Sequence, residues 1–299
     1  MTKVNNLELS RPELSEGETS QSGWSKNELN NPECMALRKN PFDADPGSEV
    51  ILSQAQKEAL SRMTLVVESK TLGVLTGEVG SGKSTILRLL AASLSPIEYQ
   101  LVYLSSAGLS PKDLYDGLLK SLGENPAYGL AKVKQQFQEV AQSRRSGNSR
   151  QIVALIDEAH ELSDKTLLEL RFLMCQGLER PASLFPIVLA GQSKLRRELR
   201  KSIFESIAQR VRMQFHLSGM SMEECVSYVN ARMDKANLSK PVFTQNALTL
   251  IHACSRGIPR VINLLCAHSL HAVQARGENA IEEKHVLAVI ADLDKQRGA

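Results

Sequence analysis

GEVGSGKST, residues Gly77 to Thr85, is the stretch whose reading decides the fold of this chain. It satisfies G-x-x-x-x-G-K-[ST], with Gly77, Gly82, Lys83 and Ser84 at the fixed positions. The run before it, TLGVLT (Thr71–Thr76), is apolar enough for a buried strand. The run after it, TILRLLAASL (Thr85–Leu94), has helical periodicity. A strand, a glycine loop and then a helix is the context that separates a P-loop from a flexible turn.

The chemistry of phosphate binding accounts for the residue types. Phosphate oxygens must meet backbone N–H groups at close range, and glycines at 77, 80 and 82 permit that approach and a positive φ. Glu78, Val79 and Ser81 complete the loop, and Thr85 carries it into the helix, whose positive end points at the phosphates. Lys83 is expected between the β- and γ-phosphates, and Ser84 is expected to offer its hydroxyl to Mg2+.

Outward from the loop, apolar runs alternate with helical patterns. Ser53 caps a helix reaching about Lys70, with Gln56 completing a capping box. YQLVYLSS (Tyr99–Ser106) is a second strand. SPKDLYDGLLKSLG has Ser110 as N-cap, Pro111 at the first helical position and Gly123 as its stop. Leu130 to Ser143 is a further helix, followed by a basic loop, SRRSGNSR (Ser143–Arg150). RQIVALIDEAH (Arg150–His160) is continuously apolar before its two acids, as suits a central parallel strand. A helix from about Ser163 to Leu178, a strand LFPIVLAGQ (Leu184–Gln192) and an alternating run RVRMQFHL (Arg210–Leu217) follow. From Ser221 onward only helices are predicted, at 221–236, 244–253, 259–275 and 282–293.

The expected fold class is therefore α/β: a P-loop nucleotide-binding, doubly wound parallel sheet with a small C-terminal all-helical lid. The expected division is a disordered tail over residues 1–35, a sheet domain over 36–218 and a lid over 219–299. The tail is rich in Ser, Glu, Asn and Gly, without periodicity. A length of 299 residues suits this division into roughly two folded domains.

Composition excludes several classes. A net charge of +3 is too small to demand nucleic acid, so local clusters must make that case. The five cysteines lack C-x-x-C spacing, which argues against a zinc site or a disulfide framework and for reduced, mostly buried thiols. No apolar run has the length of a membrane span and no signal segment opens the chain, so the expected location is cytoplasmic, without direct membrane insertion.

LIDE places Asp157 and Glu158 at the C-terminal end of a sheet strand, where open α/β sheets put their ligands. Asp157 is the expected Mg2+ partner, and Glu158 is placed to orient or deprotonate an attacking water. His160 next to them is read as a helix-start or surface residue rather than a catalytic one.

NPF (Asn40–Phe42), LTGEVGSGKST, LIDEAHEL, LAGQSKL, QRVRMQFHL and GIPRVIN, in this order, resemble an AAA+ ATPase. Within that class they resemble the ExeA-type ATPases of general secretion and the related ATPases carried by transposons. The resemblance runs from about Ala36 to the C-terminus. It implies ATP with Mg2+ bound between sheet and lid. Gln192 falls at the sensor-1 position, with Ser193 as its competitor, and Arg210 and Arg212 fall in the arginine-finger region. Arg260 falls at sensor 2, aimed by Gly257 and Pro259. Asn40–Phe42 are expected to run past the adenine or to form a plain strap over the core.

A finger reaching a neighbour's nucleotide makes a head-to-tail contact, which builds rings or helical filaments of a homo-oligomer. The resemblance leaves three readings of what the assembly does. One is a regulator of transposition, assembling on double-stranded DNA through backbone contacts and acting on a transposase. KLRRELRK (Lys194–Lys201) and a second cluster of Arg144, Arg145 and Arg150 supply its cations. Another is an ATP-gated scaffold with slow hydrolysis. The third is a secretion-assembly ATPase, disfavoured by the lack of a membrane span or peptidoglycan-binding segment after the lid.

Overall fold

The computed structural model describes residues 40–43, 50–105, 108–146, 149–174, 185–236, 242–296 and 298. The expected tail, Cys34 and Cys175 lie outside the described residues. The described chain before the C-terminal helices runs α1 (Gln54–Glu68), β1 (Leu72–Gly77), α2 (Lys83–Ser93), β2 (Tyr99–Ser105), α3 (Pro111–Ser121) and α4 (Leu130–Ser146). It continues with β3 (Gln151–Asp157), a 3-10 turn (Ala159–Glu161), α5 (Asp164–Met174), β4 (Ile187–Gly191), α6 (Ser193–Glu198), α7 (Glu205–Ala208) and β5 (Val211–Leu217).

The five strands form one parallel sheet in the order β2-β3-β4-β1-β5. Every residue of β1 and β4 is buried, as is β3 after Gln151. This matches their unbroken apolar runs, because a central strand is covered on both faces. Alternate residues of β3 feed opposite cores. Ile152, Ala154 and Ile156 pack with Leu114, Leu118, Phe137 and Leu170 from α3, α4 and α5. Val153 and Leu155 pack with Met63 and Val66 of α1 and Ile86 and Leu90 of α2. The outer strands β2 and β5 are only partly covered, which is why the β5 sequence alternates. Register aligns the strand ends: Thr76 lies beside Gly191, Gly77 beside Leu217, and Ser105 beside Asp157. The loops that leave β1, β3 and β4 therefore open along one edge of the sheet.

Most boundaries fall where the caps place them. Ser53 and Gln56 form their reciprocal capping box, as do Ser110 and Asp113 ahead of Pro111. Two helices run three residues past the expected end: the last reaches Gln296 rather than 293, and the other changes the reading of a basic residue. The helix read as ending at Ser143 continues through Ser146, so Arg144 is helical and not in a loop. Its guanidinium donates to the Leu122 carbonyl at 2.8 Å and to the Gln100 side chain. Arg144 thus closes the C-terminal end of α3 onto β2, and Arg150 reaches the Pro96 carbonyl at 3.3 Å. The second basic cluster is a set of structural ties, at least in these two members; the Arg145 side chain lies outside what is described.

After β5 come α8 (Met222–Lys235), α9 (Gln245–Ser255), α10 (Pro259–Ala275) and α11 (Glu283–Gln296). They surround a separate apolar core that also takes in Phe42, whose ring meets Phe243 edge-on at 5.9 Å. Cys225 and Cys266 are buried there, and Cys254 is exposed. No described helix is long and apolar enough to cross a membrane. The passage from sheet to helices is pinned at Gly257, where the Met220 N–H donates to the Gly257 carbonyl at 2.9 Å. Gly257 has φ +72°, and a Cβ there would collide with the backbone N and O of Met220. Gly257→Ala is expected to lower the unfolding free energy by about 1–3 kcal/mol through backbone strain and clash. A denaturant titration checks this; an unchanged midpoint contradicts it.

Candidate nucleotide site

The loop Gly77–Gly82 turns from β1 into α2 with Gly80 at φ +83° and Gly82 at φ +101°. Neither position tolerates a side chain. A Cβ on Gly82 would collide with the Gln56 amide, and one on Gly80 would stand 2.5 Å from Arg260 Cβ. Gln56 donates to the Ser81 carbonyl at 3.0 Å while its oxygen accepts from the Ser53 N–H at 3.1 Å. The capping box of α1 therefore also braces the P-loop.

The Lys83 ammonium donates to the carbonyls of Gly77 and Glu78, both at 3.0 Å. Burial pulls its pKa below the usual lysine value, against the opposing fields of Glu158, Asp157 and Glu78. A polyanion entering the loop would restore the favoured charge and offer this donor stronger acceptors than two carbonyls.

The end of β3 meets the loop directly. Ser84 Oγ donates to Asp157 Oδ2 at 2.8 Å, and Tyr103 from β2 donates to the same oxygen at 3.0 Å. Desolvation, then the Asp157 charge, raises the Tyr103 pKa, so the phenol remains a donor. Ser84 and Asp157 are hard oxygen donors side by side, a set that suits Mg2+. Glu158 follows in left-handed backbone, φ +52°, with its N–H on Asp157 Oδ1 at 2.9 Å. That conformation is costly for a residue with a Cβ, and strain of this kind is concentrated at functional sites.

The far wall comes from the C-terminal helices. Ile258 and Pro259 start α10, and the Arg260 N–H donates to the Gly80 carbonyl at 3.3 Å. Lys83, Ser84, Thr85, Glu158 and Arg260 border one cleft of about 540 Å³, within the usual range of ligand sites. The same cleft is also lined by Phe42, Val50, Ile51, Met220 and Tyr228, apolar and aromatic surface suited to a planar base. Tyr228 donates to Asn263 Oδ1 at 2.9 Å, and Arg232 donates to Tyr228 at 3.2 Å and to the Pro41 carbonyl at 3.1 Å.

The remaining predicted residues stand apart from this cleft. Gln192 caps α6 and does not line it. Its competitor Ser193 reaches the loop, donating to Glu78 Oε1 at 2.9 Å. Arg210 and Arg212 are exposed at the start of β5, with Arg210 donating to the Ser206 carbonyl. Leu72 pairs with Val211 and Gly77 with Leu217, so these arginines lie at the end of the sheet opposite the P-loop.

His160 lies in a 3-10 turn, as the helix-start reading has it, but not on the surface: the ring is buried beneath the turn after β3, beside Glu158 and Glu161. Gln56, Tyr103, Tyr228, Arg232 and Asn263 are site residues the sequence reading missed. Only Gln56 carried a signal, its place in a capping box. The others come from β2, α8 and α10, whose meeting is a product of the tertiary fold.

Residues 66–199 match the sequence model of an AAA domain. The chain is 32% identical over 252 residues to general secretion pathway protein A of Aeromonas hydrophila. That match covers 83% of this chain and 45% of the relative, so the chain spans about half the relative's length. Among solved structures it resembles the ORC2 protein of Aeropyrum pernix in ADPNP–ADP complexes, with a TM-score of 0.59 at 13% identity. That likeness covers 85% of this chain and 71% of the other. The ORC1 protein of the same organism in complex with DNA gives 0.59 at 14% identity, covering 86% and 69%. At such identities the likeness concerns the fold. With the P-loop, the parallel sheet and the helical C-terminal region, it establishes that this chain is built on the AAA+ P-loop NTPase fold.

Proposed function

We propose that this protein is a Mg2+-dependent ATPase that assembles head-to-tail when ATP is bound. The observation that carries the reading is that Lys83, Ser84, Glu158 and Arg260 border one cleft between the sheet and the C-terminal helices. In this reading residues 36–218 and 219–299 act as core and lid around the nucleotide. The backbone of Gly77–Thr85 cradles the phosphates, and Lys83 leaves its two carbonyls for the β- and γ-phosphate oxygens. Ser84 and Asp157 hold Mg2+, which when bound neutralises charge developing on the phosphate oxygens. Glu158 takes the proton of the attacking water. Ser193, which reaches the P-loop through Glu78, takes the sensor position at the end of β4 ahead of its competitor Gln192, and Arg260 senses the γ-phosphate from α10.

Arg210 or Arg212 completes the site of a second copy. Arg210 precedes β5 and Arg212 is its second residue, so five to seven strand residues, roughly 17–23 Å at the usual rise per residue, separate them from the P-loop edge, which is too far to serve their own nucleotide. An arginine placed in trans makes hydrolysis depend on assembly, and such a contact propagates as a ring or a filament.

The template we propose is double-stranded DNA, gripped through its backbone, with transposase regulation as the outcome. Its support is the exposed set Lys194, Arg196, Arg197 and Arg200. Lys201 of the same stretch is engaged by Glu198. Secretion assembly is a second reading, favoured by the 32% identity to the Aeromonas protein. An ATP-gated scaffold remains the reading for a chain that binds but does not turn over.

Lys83→Ala is expected to weaken nucleotide binding by about tenfold or more, the loss of at least one charge-assisted hydrogen bond. Titration of a fluorescent ATP analogue checks it, and unaltered affinity removes Lys83 from the phosphates. Glu158→Gln should bind normally while turnover falls by about a hundredfold; a phosphate-release assay at wild-type rate excludes Glu158 as the base. If four cations hold phosphates, DNA affinity falls roughly a hundredfold between 50 and 200 mM salt. Turnover and sedimentation indifferent to DNA at every salt concentration would transfer the weight to the secretion reading.

A further inference from the structure

The reading of Glu158 as base leaves its immediate neighbour unexplained. His160 lies in the 3-10 turn Ala159–Glu161, and its ring stands between two carboxylates. Nδ1 is 3.1 Å from Glu158 Oε2, and Nε2 is 3.0 Å from Glu161 Oε1. The ring is only 4% exposed, whereas the Glu158 side chain is 45% exposed. The exposure of Glu158 is uneven: Oε2 is fully buried against the ring. That leaves Oε1 as the oxygen able to meet a water in the cleft. Oε2 and Nδ1 are close but not aligned, since neither completes a hydrogen bond among the described residues.

The turn itself is held from below. Gly191, the last residue of β4, faces it so closely that a Cβ there would lie 3.1 Å from the His160 N and 3.4 Å from its Cβ. The next two residues are Gln192 and Ser193, and Ser193 contacts the P-loop through Glu78. His160 is thus seated on the strand whose end faces the phosphates, with its ring on the carboxylate that would activate water.

We propose that His160 is the positioning residue of Glu158: its Nδ1 fixes Oε2, turns Oε1 to the attacking water, and couples that carboxylate to the end of β4. This rests on the ATPase reading given above. A buried polar side chain that holds a reacting carboxylate in one rotamer confers rate through geometry rather than affinity.

Two near-isosteric substitutions separate this role from a structural one. In His160→Asn the amide nitrogen takes the place of Nδ1 and keeps a donor beside Glu158. In His160→Gln it takes the place of Nε2, serving Glu161 and losing Glu158. The expected result is that His160→Gln lowers kcat about tenfold or more with nucleotide affinity unchanged, while His160→Asn stays within about threefold of wild type. In a Glu158→Gln background, His160→Gln should produce no further loss, because the two side chains act as a unit. Equal effects of both substitutions, or His160→Gln at wild-type rate, overturn the proposal, as does an additive loss in the double variant. Thermal melts identify a substitution that simply fails to fold, in which case the remaining substitution and the cycle decide. A wild-type protein that binds ATP but never turns it over overturns the ATPase reading itself, and this role with it.

Discussion

The contact between Gly80 and the first turn of α10 is the constraint on which the rest of the structure depends. The tip of the P-loop and the start of α10 approach until the Arg260 backbone bonds to the Gly80 carbonyl, with no room for a Cβ on position 80. A close backbone approach of this kind needs glycine on one side. It also requires α10 to begin where it does, which Pro259 at the first helical position and the left-handed Arg256 and Gly257 before it provide. From that contact follow the cleft, the placing of Arg260 in its wall, and the apolar lining to which Phe42 and Tyr228 contribute.

Around this joint the molecule distributes its rigidity unevenly. The three central strands are buried on both faces, so their C-terminal ends present Gly77, Asp157 and Gly191 in fixed register. Ser84, Tyr103 and Asp157 then form a closed hydrogen-bonded group at that edge. Glu158 is different. It stands in strained left-handed backbone, and in the role proposed above its restraint is the histidine beside it rather than a closed network. A carboxylate held on one oxygen and open on the other is suited to act on a water while keeping its aim.

Much of this was legible in the sequence for identifiable reasons. The P-loop is readable because its glycines and lysine answer to backbone geometry and charge within nine residues. Asp157 and Glu158 are readable because an apolar run that ends in two acids has few other uses, and Arg260 because GIPRVIN resembles a sensor-2 segment in which Gly257 and Pro259 aim the arginine. What escaped depends on partners distant in sequence. Arg144 read as a loop cation because Ser143 looks like a helix end, whereas the helix runs on and ties the arginine to Leu122. The burial of His160, as opposed to its helix-start place, escaped because nothing local reports that Gly191, some thirty positions later, leaves room beneath the turn. Tyr103, Tyr228 and Asn263 gave no signal at all, since each looks like an ordinary residue of its own strand or helix.

The central claim is that one nucleotide is held jointly by the P-loop and α10, with Arg260 reading its γ-phosphate. Equilibrium titration of ATP and ADP against the wild-type protein and Arg260→Ala, both with Mg2+, tests it most directly. The wild type is expected to bind ATP more tightly than ADP, and the substitution to remove most of that preference while leaving ADP affinity nearly unchanged. Equal losses for both nucleotides, or a preference that survives intact, would contradict it.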